Sequence, residues 1–379
     1  MRRLTAVFML ATLMPMLAGC GINGEVENQA YALVLGVDQT EAGGIELTIR
    51  IPRIGQSGNE EAGGSAEQKA YLVLAASGNS YAQALEHLQW AAARELNLSH
   101  LELIIVSSAL ARSETFPELI DSIAETRHLY TTAAFIVCEN RARDFIEGQE
   151  TIMGAHLSSD IAAMFSHYAA HGYVPCATFA DLYYATRSCY SDPLGIWGFP
   201  DIGEQKDKPA IAAIDDVSGS INVRTTTASS RQYLGTAVFR NGRLVQTLDA
   251  EDTLLLNLLT RKVDAFTFSD GDNSIILSCS RGPRRRMTVN KGKVEIHIRL
   301  WLSAESFADQ NHLDAASKAL SSALMGFIQR CQEASIEPLG LAERAAIHFA
   351  TLNQWRAFDW RSRFSEASVE VEVGIAPSE

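Results

Sequence analysis

Apolar positions along this chain change period several times, and each change marks an element. Ala30 to Val37 is a compact apolar run, read as a strand, with Asp38 to Gly44 as the turn after it. From Gly44 to Ile51 apolar and polar residues alternate with the period of two of a half-buried strand, which Pro52 closes. Residues 55–66 are rich in Gly, Ser and Glu and predict a surface loop. Strand character resumes at Tyr71–Ala75, and then the period lengthens. Ser80 with Gln83 has the spacing of a capping box, and Leu85, Leu88, Ala92 and Leu96 follow as one helical face. Leu101–Ser107 and Thr132–Cys138 predict buried strands. Between them Pro117 suits the first turn of a helix carrying Leu119, Ile120 and Ile123. Strands alternating with helices predict a mixed α/β region.

The pattern continues with helices over His156–Ala170, ended by Gly172, and over Phe179–Ser188. Gly, Pro and charge then dominate from Gly195 to Pro209, as in a connection between domains. A new unit is expected from Tyr233. Leu234–Phe239 and Leu244–Leu248 flank Asn241-Gly242, the strongest short hairpin signal, and Asp249 can cap a following helix. Strands are expected at Val263–Phe268, Ser274–Ser280, Met287–Val289 and Lys293–Leu302, joined into a meander by polar turns. A long helix follows from about Leu313 to Cys331, with a stripe of Leu313, Ala316, Leu320, Leu324, Phe327 and Cys331. A shorter helix over Leu339–Phe349 and a half-exposed strand over Ala367–Ile375 close the chain. The expected class is α+β: a mixed α/β N-terminal part, possible as two subdomains, then an antiparallel sheet with a long helix packed on it. The divisions are 1–19, 20–192, a connecting segment 193–230, and 231–379.

The first of these divisions has its own chemistry. Met1-Arg2-Arg3 is a basic start, Leu4–Leu17 an apolar run, and Leu17-Ala18-Gly19-Cys20 its end. This is the layout of a secretory signal. The run is short of the roughly 20 residues of a membrane span, and Pro15 interrupts it. Small residues before a cysteine resemble a bacterial lipobox, which implies a diacylglyceryl group on Cys20 as the first mature residue. Two acyl chains suffice for stable anchoring. Removing residues 1–19 from 379 leaves 360 and takes the net charge from −13 to −15, because Arg2 and Arg3 leave. So acidic a chain argues against nucleic acid or anionic lipid as the main partner. With 47% hydrophobic residues it has the composition of a folded protein of two or three domains. Beyond Cys20, the five cysteines have no CxxC spacing, and free buried thiols are expected for most of them. A disulfide between Cys176 and Cys189 after export is left open, since nothing fixes its geometry.

Tyr233-Leu234-Gly235-Thr236-Ala237-Val238-Phe239-Arg240-Asn241-Gly242-Arg243-Leu244-Val245 resembles the "G-x-A-V-F-k-x-x-k-L-V" hairpin of the Ger(x)C lipoproteins, the C subunits of bacterial spore germinant receptors. The Leu-rich helix at Thr253–Leu259, the Lys-Gly-Lys turn at 291–293, Asn353-Gln354-Trp355, Trp360 and the terminal Val-Glu-Val strand are similar too. So are Tyr31–Asp38 and Asn97–Val106 in the first half. The chain departs from the family where Gly21-Ile22-Asn23, not Trp-Asp, follows Cys20. The resemblance implies a non-enzymatic subunit, lipid-anchored on the outer face of the spore inner membrane. It would work with A-type and B-type membrane subunits to trigger germination in response to nutrients, without a cofactor.

No catalytic constellation emerges from the residues themselves. His167 and His171 could share a helix face, with His156 or Asp160 near, but no HExxH or Cys/His cluster supports a metal, and surface histidines are the favoured reading. Gly219-Ser220 lacks a nucleophile elbow, and no glycine loop has phosphate-cradle spacing. Glu60-Glu61, Asp215-Asp216 and Glu251-Asp252 look like solvated loops or helix starts. Arg284-Arg285-Arg286 is the one basic run: either a contact for lipid headgroups or an acidic partner, or, as favoured, an exposed hairpin whose charges protect an edge. Trp355, Phe358 and Trp360 are interface anchors in one reading and core filling in the favoured one. The competing function is a solute-binding lipoprotein that serves a transporter. It would need two lobes around a hinged pocket, and the chain lacks the long run of βαβ units usual for that role. An exported hydrolase is weaker still.

Overall fold

A computed structural model describes residues 28–52, 71–127, 129–148, 165–188, 192–200, 231–270, 273–290, 292–305 and 309–378. The chain runs through β1 (Gln29–Tyr31), β2 (Val34–Gln39), β3 (Ile45–Pro52), β4 (Tyr71–Gly78), α1 (Tyr81–Ala91), β5 (Glu95–Asn97) and β6 (Leu103–Ser107). Next come α2 (Ser108–Arg112), α3 (Phe116–Ala124), β7 (Ala134–Cys138), α4 (Ala142–Glu147), α5 (Phe179–Arg187) and β8 (Leu194–Pro200). Strands β9 (Arg231–Arg240) and β10 (Arg243–Leu248) complete an eight-stranded sheet of order β10-β9-β8-β7-β6-β2-β3-β4. Its centre, β2, β6, β7 and β8, is parallel, and its flanks are antiparallel. Strands β1 and β5 pair separately.

Local chemistry places the helices of this first unit. Ser80 Oγ accepts from Gln83 N, while the Gln83 side chain takes the Asn79 N–H rather than that of Ser80. Thr178 and Asp181 form a full capping box on α5, and Pro117 stands in the first turn of α3. Asp38, at the end of β2, accepts from the Ala142 and Arg143 amides at 2.8 and 2.9 Å and so fixes the start of α4. Burial pushes its carboxyl above the ordinary value, and those amides oppose the rise. Both faces of the sheet are covered. Leu35, Val37, Leu47, Ile49 and Phe135 face α1, α2, α3 and α5, whereas Val34, Leu103, Ile105 and Ile136 face α4 and residues 165–169.

The second unit comprises α6 (Ala250–Thr260), β11 (Ala265–Asp270), β12 (Asn273–Ser278), β13 (Arg284–Asn290), β14 (Lys293–Ala304), α7 (Gln310–Glu333), α8 (Leu341–Ala346), α9 (Leu352–Phe358), α10 (Trp360–Ser365) and β15 (Ser368–Pro377). Along β14 exposed and buried residues alternate from Lys293 to Leu300, so this sheet has one open face. The predicted stripe of α7, from Leu313 to Cys331, is wholly buried against the other. The α+β class holds.

The helical face expected to run through Ala92 to Leu96 stops at Ala91, with Leu96 in β5, and three features of the sheets differ from expectation. The 231–248 hairpin does not begin the second sheet but closes the first, pairing with β8. The expected connecting segment contains a strand, β8, because Gly195 and Gly198 let the rings of Phe135 and Phe145 approach its backbone. The second sheet is not purely antiparallel, since β15 lies parallel to β14 from Glu295↔Ser368 to Ala304↔Pro377.

Hairpin β9–β10 joins the two cores. Ala237, Phe239 and Leu244 pack in the first, while Val238 and Leu248 pack in the second. Gly235 sits at φ +123°, where an added Cβ would lie 2.5 Å from the Leu248 carbonyl oxygen, so the glycine of this hairpin is sterically required.

Candidate functional site

Two polar seams hold the units together. In the first, Asn257 Nδ2 of α6 donates to the carbonyls of Gly172 and Val174 at 2.7 and 3.0 Å. Arg261 Nη2 reaches those of Ala169 and Val174 at 2.7 and 3.1 Å, and Thr236 bonds Thr253 at 2.9 Å with both residues buried.

The second seam centres on Asp192, between α5 and β8. Its side chain is only 2% exposed and takes a two-pronged contact from Arg361 of α10, at 2.8 and 3.2 Å. It also accepts from the Glu337 amide at 2.9 Å. Arg361 donates to the Ser335 carbonyl at 3.0 Å, and Arg240 of β9 reaches the same oxygen. Glu337 itself caps α8, with both oxygens on the Leu341 amide and one on that of Ala342, all at 3.1 Å. Burial pushes its carboxyl up to about 7; these amides pull it down and the Asp192 charge adds to the rise. Burial, then the like charge of Arg361, lowers the Arg240 guanidinium.

This arrangement can lock two units at one relative orientation. Its carboxylates already hold their donors, so neither is placed as a free acid or base for catalysis. Cavities of about 290 and 360 Å³ flank the seam, at the lower end of the range for ligand pockets. Asn241, Trp355, Trp360 and Arg361 line the first, Cys176, Tyr184 and Glu343 the second. A hinged two-lobe binder needs its lobes free to move here, and the Arg361–Asp192 salt bridge ties them together.

The residues singled out by sequence fall in different places. Cys20 lies outside the described residues, as do His156, Asp160, Cys189, Glu60-Glu61, Asp215-Asp216 and Gly219-Ser220. Trp355 and Trp360 are 5% and 8% exposed, stacked with centroids 6.2 Å apart among Phe349, Phe358 and Phe364. They fill the core, the favoured of the two readings, and do not form a surface for interaction: the short helices α9 and α10 present too few aliphatic residues to close the core without them. Arg284 and Arg286 are exposed on β13, whereas Arg285 points the other way and donates to the Leu339 carbonyl at 2.6 Å. Glu251 and Asp252 open α6. Burial pushes Glu251 up to about 7, and Asp252 pairs with Arg330 of α7. His167 and His171 have ring centroids 4.3 Å apart, and no group of three metal-ligating side chains occurs among the described residues. Cys138, Cys279 and Cys331 are buried, and burial raises the thiols of the latter two; Cys176 is exposed.

Asp192, Glu337 and Arg361 escaped the sequence reading. The dipeptides Asp192-Pro193 and Glu337-Pro338 carry turn signals and nothing that reports burial.

Comparison with known proteins matches residues 23–194 to the spore germination protein N-terminal domain. Residues 234–376 match the spore germination B3/GerAC-like C-terminal domain. Spore germination protein KC of Bacillus subtilis (strain 168) is 27% identical over 135 residues, which is 35% of this chain and 33% of that protein. YfkR of the same strain, whose name assigns it provisionally to spore germination, is 22% identical over 94% of this chain and 91% of its own length. The crystal structure of the GerBC protein shares the fold, with a TM-score of 0.53 at 12% identity, over 91% of this chain and 97% of that one.

Proposed function

Because this chain belongs to the spore germination B3/GerAC-like family in both of its halves, we propose that it is the C subunit of a spore germinant receptor. It is anchored through a diacylglyceryl group on Cys20 to the outer face of the spore inner membrane. There it acts without catalysis or cofactor, by contact with A-type and B-type membrane subunits. The observation that carries this reading is the match of both halves to the two domains of one germination family, in the order in which they stand here. No helix among the described residues is long and apolar enough to cross a membrane, and the reading assigns attachment to the lipid instead.

The test is nutrient-triggered germination in the spore former that carries this gene, comparing wild type, Cys20→Ala and a deletion, with fractionation of the spore inner membrane. Cys20→Ala is expected to release the protein from that membrane, and both variants to lose the response to at least one nutrient. Unchanged germination on every nutrient, with growth on a solute lost instead, would overturn the receptor reading in favour of a solute-binding lipoprotein.

A further inference from the structure

The open face of the second sheet is laid out in cross-strand rows. One row is Arg284–Arg299–Glu372 across β13, β14 and β15, and the next is Arg286–His297–Glu370. On the β15 side the charges are matched: Arg299 pairs with Glu372, and His297 Nδ1 lies 2.8 Å from Glu370 Oε2. On the β13 side Arg284 and Arg286 have no acidic partner among the described residues. Other arginines stand on and behind this sheet. Arg281 lies over the Trp301 ring, 4.1 Å from its centroid, and Arg344 crowds Arg285 closely enough to help burial lower that guanidinium. In a chain of net charge −13 this strip is an exception.

The backbone is equally uneven. The outer edge of β15 is covered by α7, whose Ser317 and Ser321 hydroxyls donate to the Val373 and Val371 carbonyls at 2.5 and 2.6 Å. Among the described residues, strand β13 pairs only with β14. The Arg285 carbonyl faces away from that partner, to Arg344 Nη1 at 3.2 Å. The alternation of an antiparallel ladder turns the amides and carbonyls of Met287 and Val289 outward as well.

We propose that β13 is a docking edge for an extended acidic segment of a partner protein, in which carboxylates alternate with apolar residues. The sheet already holds such a segment: Val369-Glu370-Val371-Glu372-Val373 of β15 sets its acids against His297 and Arg299 of β14. A strand added to β13 would set its acids against Arg286 and Arg284 in the same rows, while the outward amides supply the ladder bonds of β-strand addition. An anionic bilayer fits less well, because Glu295, Glu370 and Glu372 stand on the same face. This inference rests on the reading of the chain as a contact subunit, but its test uses no germination readout, so either can fail alone.

The probe is a fluorescent peptide of residues 368–375, Ser-Val-Glu-Val-Glu-Val-Gly-Ile, titrated onto the full chain in detergent and followed by anisotropy. Saturable binding is expected, weakened by salt and about tenfold or more by Arg284→Glu with Arg286→Glu, as for lost charge complementarity. Hydrogen exchange at Met287 and Val289 should slow in the complex. Arg284→Gln with Arg286→Gln replaces the reversed pair if that variant does not fold. Four results overturn the proposal. The peptide binds to neither form; aggregation of Arg284→Thr with Arg286→Thr would then show that the arginines only guard the edge. Binding ignores the Arg284/Arg286 changes but is lost in His297→Glu with Arg299→Glu, so that the peptide replaces β15. Phosphatidylglycerol vesicles, and not the peptide, bind through these arginines. The chain alone forms an Arg284-dependent dimer, so that the occupant is a second copy.

Discussion

The two sheets of this protein solve the burial problem in opposite ways. In β6 of the first sheet all five residues, Leu103 to Ser107, are buried, because helices cover both faces. In β14 of the second, burial alternates along most of the strand, because only one face is covered. A doubly covered sheet leaves no surface for recognition except its edges and loops. A sheet with an open face keeps a whole row pattern of side chains available at little cost to folding. The difference separates a sheet buried on both faces from one that pairs a core face with a row of side chains left in solvent.

The sharpest break of that comparison is in β7. Phe135 is fully buried, with ring centroids 5.9 Å from Phe239, 6.4 Å from Phe179 and 6.5 Å from Phe116. Phe135→Ala is expected to cost about 3–5 kcal/mol in urea unfolding. Thr288→Ala, on the open face of β13, should stay within roughly 0.5 kcal/mol. Similar losses at the two positions would remove the contrast.

The seam between the sheets comes next. Asp192→Ala strands Arg361 and the Glu337 amide. The expected loss is roughly 3 kcal/mol, at the low end for a broken buried pair, because the Arg361 side chain is 40% exposed. If the seam couples the units, the single unfolding transition should split in two, and an Arg361→Ala cycle should show the losses to be non-additive. One sharp transition in the variant would mean that hairpin β9–β10 and the Asn257–Arg261 seam couple the units without Asp192.

Glu337 gives the seam a pH dependence of calculable sign. Its carboxyl titrates near 7 in the fold against 4.5 ordinarily, so between those values the folded chain keeps a proton that the unfolded chain releases. The contribution is whole below about pH 4.5 and lost as pH rises through about 7, a span worth no more than about 3 kcal/mol. Glu337→Gln should flatten that fall in the pH profile of the unfolding midpoint. An identical slope in the variant would place the titration elsewhere.

Legibility in the sequence followed the same division. The alternation of β14 and the stripe of α7 were readable because each has one wet side, which imposes a period. Hairpin β9–β10 was readable as a hairpin through Asn241-Gly242, but not its sheet. Ala237 and Val238 are both buried, in different cores, so the pattern reports no preferred face. Strand β8 was lost to its glycines, which look like chain breakers and in fact admit the Phe135 and Phe145 rings. The seam was the least visible part. Asp192, Glu337 and Arg361 are far apart in sequence, two of them beside prolines, and no local signal shows that they meet.

The smallest effect tests the comparison most directly, because it repeats the chemistry of the seam on the open face. Arg299 and Glu372 form the same arginine–carboxylate pair as Arg361 and Asp192, but their side chains are 55% and 51% exposed. Water already solvates both partners, and holding two long side chains together costs entropy, so Glu372→Ala is expected to lose between about 0 and 1 kcal/mol. Added salt should shrink that difference further, since exposed charges are screened. A loss comparable to that of Asp192→Ala would mean that the open face carries structural weight. A negligible loss means that charges on this face can be reversed without disturbing the fold, so that a binding defect in the Arg284/Arg286 variant reads as a lost contact and not as lost structure.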